Sequence, residues 1–140
     1  MISLLGNSLS ETGAESVTLK EMVIQLRQDG DLEQLLQRSK TNPVLIFKHS
    51  TQCSISGQAY EEFTQFAESS GGVACGLVLV IENRKLSEAI AERLAVRHES
   101  PQAIIVRDGY AAWHASHWSI TTGSLSEALR SYGESAHQRN

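Results

Sequence analysis

The 140-residue chain is poor in cysteine, proline and aromatic residues, and its apolar runs are short. Its two cysteines are too few for a disulfide-stapled secreted scaffold or a four-cysteine zinc site. The longest apolar-rich run, from Val73 to Ile81, is about half the length of a membrane-spanning helix. With 12 basic and 16 acidic residues the net charge is −4, which lacks the basic footprint of nucleic-acid binding. The composition therefore indicates a small acidic domain, and the question is what its two thiols do.

The two ends of the chain differ in composition from its middle. Residues 1–19 are rich in Ser, Thr, Gly and Glu and contain no Lys or Arg, and residues 134–140 are similar. We interpret both as flexible tails around one domain at 20–133. Because residues 1–19 lack the basic start and the long apolar stretch of a signal peptide, we expect no export. The expected location is the cytoplasm, where thiols are kept reduced.

Between the tails, strand-like and helical patterns alternate. Strands are predicted around 22–26, 44–47, 73–81, 103–106 and 110–113. Helices are predicted from apolar stripes at Leu32, Leu35 and Leu36; at Ile55, Ala59, Phe63, Phe66 and Ala67; at Leu86, Ala89, Ile90 and Leu94; and at Leu125, Ala128 and Leu129. The order is β-α-β-α-β-α-β-β-α. It predicts an α/β, thioredoxin-like fold, with a central mixed sheet (βαβ plus ββα) flanked by helices on both faces.

Polar residues mark where some of these elements begin and turn. Asp31 and Ser124 each have Gln or Glu three residues later, a spacing that predicts N-caps for the first and last helices. Asp108-Gly109, between the last two strands, is a strong signal for a two-residue hairpin turn.

Cys53 stands between a predicted strand and the helix that follows it. The first turn of a helix carries unpaired N–H groups and the positive end of the helix dipole, and both stabilise an anion. A thiolate is the nucleophilic form of cysteine, so this position favours a reactive residue over a packing residue. Lys48 and His49 are expected to add positive or switchable charge nearby. We therefore predict that Cys53 is the nucleophile.

Ser56 stands three residues after Cys53, which makes the motif Cys-x-x-Ser and not Cys-x-x-Cys. A dithiol site can close its own disulfide, whereas a Cys-x-x-Ser site stops at a mixed disulfide until another thiol attacks. The Ser56 hydroxyl is expected to be able to hydrogen-bond the thiolate. The sequence thus predicts a one-cysteine mechanism with a small thiol as substrate or resolving agent.

Cys75 lies near the start of the second long buried strand. A role as resolving cysteine requires that it come close to Cys53, within about 7 Å between Cα atoms for a disulfide. Packing as a small apolar residue in the sheet is the favoured interpretation.

Two further segments carry candidate site residues. Pro101 starts a strand, and in a thioredoxin-like layout a cis-proline at that point faces the active cysteine. The segment 113–118 contains both tryptophans and two histidines. A metal site joining His114, His117 and Cys53 is one interpretation. The favoured one has both indoles packing at the sheet edge and His117 bonded to backbone, with no metal bound.

Three separated motifs together carry the most specific signal, and they are Lys48-His49-Ser50-Thr51-x-Cys53-x-Ile55-Ser56, His98-Glu99-Ser100-Pro101-Gln102 and Trp113-His114-Ala115-Ser116-His117-Trp118. In this order they resemble the YtxJ-like monothiol bacilliredoxins, over about residues 22–132. The resemblance implies a thioredoxin-like fold and a redox-active Cys53 that takes bacillithiol from protein mixed disulfides onto its own sulfur. The chain departs from the family at Ser54, where the family usually has proline.

The same resemblance implies the supporting residues and the partners. Thr51 and Ser56 belong to the cysteine motif, and Ser100 and Pro101 are implied to form a cis-proline wall that binds substrate. The implied partners are S-thiolated proteins and a low-molecular-weight thiol, bacillithiol or an analogue, as co-substrate; no bound cofactor is expected.

Two other functions stay open on the sequence alone. One is a non-catalytic thioredoxin-like binding or stress-response module in which Cys53 is incidental. The other is a metal-binding domain that uses His114 and His117.

Overall fold

The computed structural model describes residues 23–69 and 72–132. Its strands are β1 (Val23–Gln25), β2 (Val44–His49), β3 (Ala74–Leu79), β4 (Gln102–Arg107) and β5 (Tyr110–Ser116). Its helices are α1 (Asp29–Arg38), α2 (Ser54–Ser69), α3 (Arg84–Leu94) and α4 (Thr122–Tyr132), with a 3-10 turn at His117–Ser119. The predicted order of elements is confirmed, while the predicted tails at 1–19 and 134–140 lie outside the described residues. None of these helices is long and apolar enough to cross a membrane.

The five strands form one mixed sheet in the order β1-β3-β2-β4-β5. Strands β1, β3 and β2 run parallel, whereas β4 is antiparallel to β2 and β5 is antiparallel to β4. Lys48, near the end of β2, pairs with Gln102 at the start of β4. The segment before β4 therefore lies next to the last residues of β2, at one end of the sheet. The predicted α/β mixed sheet is confirmed.

Helices cover both faces of this sheet because side chains on β2 alternate between them. Val44 and Ile46 pack with the buried leucines of α1 and α3, while Leu45 and Phe47 pack with the aromatic stripe of α2 and with α4. The two clusters contain the predicted stripes except for Ile55 and Ala89, which are only partly buried, and each fully buried Leu, Ile or Phe contributes roughly 1.5–3 kcal/mol.

The hairpin prediction is confirmed, but both predicted N-caps are wrong. Asp108 and Gly109 have φ of 55° and 80°, the left-handed values that a two-residue turn requires. Helix α1 begins before Asp31, and Gln28 is its N-cap; the Asp31 carboxylate accepts a bond from the Gln28 N–H at 3.1 Å. Helix α4 likewise begins before Ser124, whose hydroxyl accepts a bond from the Thr121 N–H at 3.0 Å.

Candidate active site

Cys53 closes the short loop between β2 and α2. Its carbonyl accepts a bond from the Gly57 N–H at 3.0 Å, the first turn of the helix, so Cys53 occupies the N-terminal cap position. The residue is half-buried and its thiol is free, and Thr51 beside it is exposed. Within residues 23–69 and 72–132 no side chain hydrogen-bonds this thiol. Cys53 therefore lies at a helix N-terminus, where unpaired N–H groups favour an anion.

The Ser56 hydroxyl is fully buried and bonds the loop, not the thiol. The Ser50 N–H donates to Ser56 Oγ at 2.8 Å, and His49 Nδ1 lies 2.7 Å from the same oxygen. The structure therefore contradicts the expectation that Ser56 hydrogen-bonds Cys53. Because Ser56 is in the first turn of α2, its two contacts attach that turn to the end of β2.

His49 stands on the α2 face of the sheet, in an aromatic environment. Its ring stacks on Tyr60 with centroids 4.7 Å apart and on Phe47 at 6.1 Å. Burial lowers the pKa of His49, and the nearby Glu82 carboxylate only partly opposes this shift. A histidine with a lowered pKa is mostly neutral near pH 7, so the structure gives no support to a fixed positive charge on His49, and the expected switchable charge stays a prediction.

Lys48 points to the opposite face of the sheet from His49. Its side chain is 0 % exposed, and Nζ lies 3.1 Å from His98 Nδ1. Burial lowers the pKa of Lys48 to about 8. Strand alternation therefore separates Lys48 from His49, and the hydrogen-bond contact of Lys48 is with His98.

The Ser100–Pro101 peptide bond is cis, which confirms the expected geometry at this position. Pro101 directly precedes β4, at the end of the sheet where β2 also ends. Its carbonyl accepts a hydrogen bond from the His117 N–H at 3.0 Å. The Ser100 hydroxyl is buried and has no partner among the described residues. The topology therefore brings this segment to the same end of the sheet as Cys53.

The segment 113–118 divides into a packed part and an exposed part. Trp113 packs against the core on the α2 face, as expected, but Trp118 is 67 % exposed, so the prediction that both indoles pack is wrong for Trp118. The backbone bond of His117 agrees with the favoured interpretation, and its Nε2 lies 3.6 Å from Glu99. His114 is exposed. Across the described residues, no three potential ligands cluster as a metal site would require.

Cys75 is fully buried in β3, in the cluster on the α2 face. Burial raises the pKa of this thiol to about 12, so it stays protonated near neutral pH. It pairs with Leu45 on β2, four residues before His49, which corresponds to about 13 Å along the strand. Cys75 therefore fits the favoured packing interpretation, and the geometry gives no support to its resolving role.

The profile of the family described as monothiol bacilliredoxin BrxC matches residues 24–125. The chain belongs to this family. A solved structure described as a candidate oxidoreductase with a thioredoxin fold is 32% identical, with a TM-score of 0.72; the match covers 81% of this chain and 98% of that one. These findings confirm the resemblance and support a thiol redox role.

Thioredoxins themselves are more distant in sequence. The Schistosoma mansoni thioredoxin pre-protein is 19% identical with a TM-score of 0.64, and the match covers 79% of this chain and 97% of that one. The Trypanosoma brucei brucei thioredoxin is 16% identical with a TM-score of 0.65, covering 78% and 88% of the two chains. At these identities the likeness shows the thioredoxin-like fold alone.

Sequence reasoning missed two residues that contact the histidines of the candidate site, Tyr60 at His49 and Ser87 at His98. Tyr60 follows Ser56 by one helical turn, a spacing that could have placed it beside His49. Ser87, whose Oγ lies 3.2 Å from His98 Nδ1, is a polar residue next to the apolar stripe of α3. A buried serine there could have signalled a polar contact.

A cleft of about 500 Å³ lies at the opposite end of the sheet, between the starts of β2 and β3. Its lining includes Pro43, Ala74 and Arg130 but contains no cysteine or histidine. This cleft therefore contains none of the candidate site residues.

Proposed function

We propose that this protein is a monothiol thiol–disulfide oxidoreductase that reduces mixed disulfides between proteins and a low-molecular-weight thiol of the bacillithiol type. Cys53 is the residue that reacts. The S-thiolated protein and the small thiol are its two substrates, and the reaction uses no bound cofactor.

The proposed reaction exchanges one disulfide for another in two steps. The Cys53 thiolate attacks the small-thiol sulfur of the mixed disulfide, an S–S bond forms to Cys53, and the target protein leaves as a thiolate that takes a proton from water. A second small-thiol molecule, as thiolate, then attacks the adduct, which releases a low-molecular-weight disulfide and the Cys53 thiolate. Each step breaks one S–S bond and forms another, and the second small-thiol molecule is the reductant, since it ends as part of the low-molecular-weight disulfide.

The single observation that carries this proposal is a half-buried thiol at a helix N-terminus with no second thiol in reach. Ser56 occupies the position of a resolving cysteine, and Cys75 is buried in the sheet core. A one-cysteine site cannot complete turnover alone, so the second sulfur has to come from solution. The bacilliredoxin family match favours bacillithiol as its source.

Ser100 and Pro101 are the proposed substrate-binding wall. They lie beside the end of β2, and the position agrees with the wall that the resemblance implies. The exposed Thr51 and half-buried Cys53 leave one side of the thiol open to a protein-bound disulfide. We place the reaction in the cytoplasm, where a reduced small thiol is abundant enough to regenerate Cys53.

The experiment compares a bacillithiolated and a glutathionylated form of the same reporter protein. We expect the wild-type protein to release the reporter thiol faster from the bacillithiolated form. Cys53→Ser abolishes release, and Cys75→Ala, the matched control at the other thiol, keeps it. Equal activity of Cys53→Ser and wild type would instead support a non-catalytic binding module. A preference for the glutathionylated reporter would keep the thiol redox role and overturn the assignment of bacillithiol.

A further inference from the structure

Lys48 is a fully buried lysine without an acidic partner. Its side chain is 0 % exposed, and among the described residues no carboxylate lies within ion-pair distance of its amine. Its hydrogen-bond contact is His98 Nδ1, at 3.1 Å. Burying an unpaired charge costs folding free energy. Packing alone therefore does not explain why a lysine occupies this position.

The contact has one direction when Lys48 is charged. An ammonium group can only donate, so His98 Nδ1 has to accept, and the imidazole is then neutral with its proton on Nε2. The Ser87 hydroxyl lies 3.2 Å from the same nitrogen. A charged Lys48 is therefore compatible only with the His98 tautomer whose Nδ1 is unprotonated.

The charged groups around His98 come from three elements. Burial lowers the pKa of His98, and the charge of Lys48 on β2 and that of Arg84 on α3 act in the same direction. Glu99, next to His98, and Glu88 on α3 oppose them. The lowered pKa of His98 favours its neutral imidazole ring. Only a neutral ring can accept a hydrogen bond from Lys48 at Nδ1.

Lys48 contacts or pairs with both ends of the segment that carries Ser100 and Pro101. At one end it bonds His98, three residues before Pro101, and at the other its backbone pairs with Gln102, directly after Pro101. Gln102 is itself buried, and its Nε2 donates to the Arg97 carbonyl at 2.9 Å. Lys48 on β2 therefore contacts the segment 98–102 at both ends, through its side chain at His98 and through its backbone at Gln102.

We propose that Lys48 is a positioning residue, whose ammonium holds the segment 98–102 so that Ser100 and Pro101 present a fixed wall to the mixed disulfide. This inference rests on the proposed exchange reaction at Cys53. Its effect is on docking of the protein substrate and not on the intrinsic reactivity of the thiol, since the hydrogen-bond contact of the Lys48 amine is with His98.

The test separates docking from thiol reactivity. Lys48→Met is compared with Lys85→Met, an exposed lysine on α3, as matched control. Alkylation of Cys53 by iodoacetamide, followed on its peptide by mass spectrometry, stays within about twofold of wild type in both variants. The rate constant for exchange with an S-thiolated protein falls by about tenfold or more in Lys48→Met alone. A parallel loss of both rates, or no loss of exchange, would overturn the proposal.

A second pair of variants tests the same contact from the other side. His98→Asn keeps an acceptor near the position of Nδ1 and should retain most of the exchange rate, whereas His98→Leu should lose it as Lys48→Met does. Equal rates in the two variants, whether both low or both high, contradict the proposal.

The wild-type protein provides a test that needs no Lys48 variant and no exchange activity. Nitrogen-15 NMR of the His98 ring at neutral pH should give the neutral form protonated at Nε2; protonation at Nδ1 would overturn the inference. If wild-type Cys53 forms no adduct with any small thiol, the proposed function fails, and this ring measurement still tests whether His98 Nδ1 is unprotonated and able to accept from Lys48.

Discussion

The Ser56 hydroxyl and His49 Nδ1 lie 2.7 Å apart, on the side of β2 that faces α2. Ser56 also accepts the Ser50 N–H, so both of its polar contacts go to the strand end and loop that lead to Cys53. The serine of the Cys-x-x-Ser motif thus fixes the position of the first turn of α2. The Ser56 hydroxyl is therefore engaged with the strand end and the loop, and it makes no hydrogen bond to the Cys53 sulfur.

Ser56→Ala should destabilise the fold more than it changes the thiol. The substitution leaves the Ser50 N–H and His49 Nδ1 without their partner in a part-buried site, at a cost of about 1–3 kcal/mol. Urea unfolding measures this loss. The pH profile of Cys53 alkylation should be unchanged, because Ser56 does not bond the sulfur. A shifted alkylation profile with unchanged stability would show that the hydroxyl acts on the thiolate after all.

Lys48→Met should be more stable than the wild type at neutral pH. The shift of the Lys48 pKa from 10.5 to about 8 corresponds to roughly 3 kcal/mol of disfavoured charging in the fold, part of which the lost His98 bond offsets. We expect a net gain of about 1–3 kcal/mol in the free energy of unfolding.

The pH dependence of this difference identifies its cause. Between about pH 8 and pH 10.5 the unfolded chain keeps the Lys48 proton that the folded chain has released, so wild-type stability rises with pH relative to the variant. The gain should therefore be largest below pH 8 and shrink toward pH 10.5. A difference that is constant over this range would mean that the charge of Lys48 is not what destabilises the fold.

Ala95→Gly should stabilise the protein. Ala95 is exposed, follows the last turn of α3 and has a left-handed φ of 56°, a conformation that costs a non-glycine residue about 1 kcal/mol. We expect a gain of about 0.5–1 kcal/mol by urea unfolding. Ala91→Gly, inside the same helix, is the control and should lose about 1 kcal/mol. A loss at both positions would contradict the left-handed assignment.

The periodicity of the apolar residues was sufficient to predict the layers of this fold. Apolar residues that alternate along a strand, or recur at helical spacing, indicate which side chains are buried. The helix starts were misplaced by the same physical cause in both cases. In a capping box the residue at the third helical position bonds back to the cap, so its chemistry resembles that of a cap. Asp31 and Ser124 are such third residues, and the caps Gln28 and Thr121 precede each of them by three.

The site was predicted less completely than the fold, because contacts between distant elements leave little signal in one sequence. Strand alternation alone could have placed Lys48 and His49 on opposite faces. It could not have shown that Lys48 meets His98, 50 residues away, or that Trp118 stays exposed on a 3-10 turn. Those facts depend on how β4, β5 and α3 meet at the end of β2.

The central claim is that Cys53 is the one thiol that takes part in the exchange reaction. Its most direct test is a single-turnover experiment with wild-type protein and an S-thiolated target. Intact mass and peptide mapping after quenching locate the transferred group. The account predicts one small-thiol adduct per chain, on Cys53, with Cys75 free. A Cys53–Cys75 disulfide, or a target that is reduced while Cys53 carries no adduct, would contradict it.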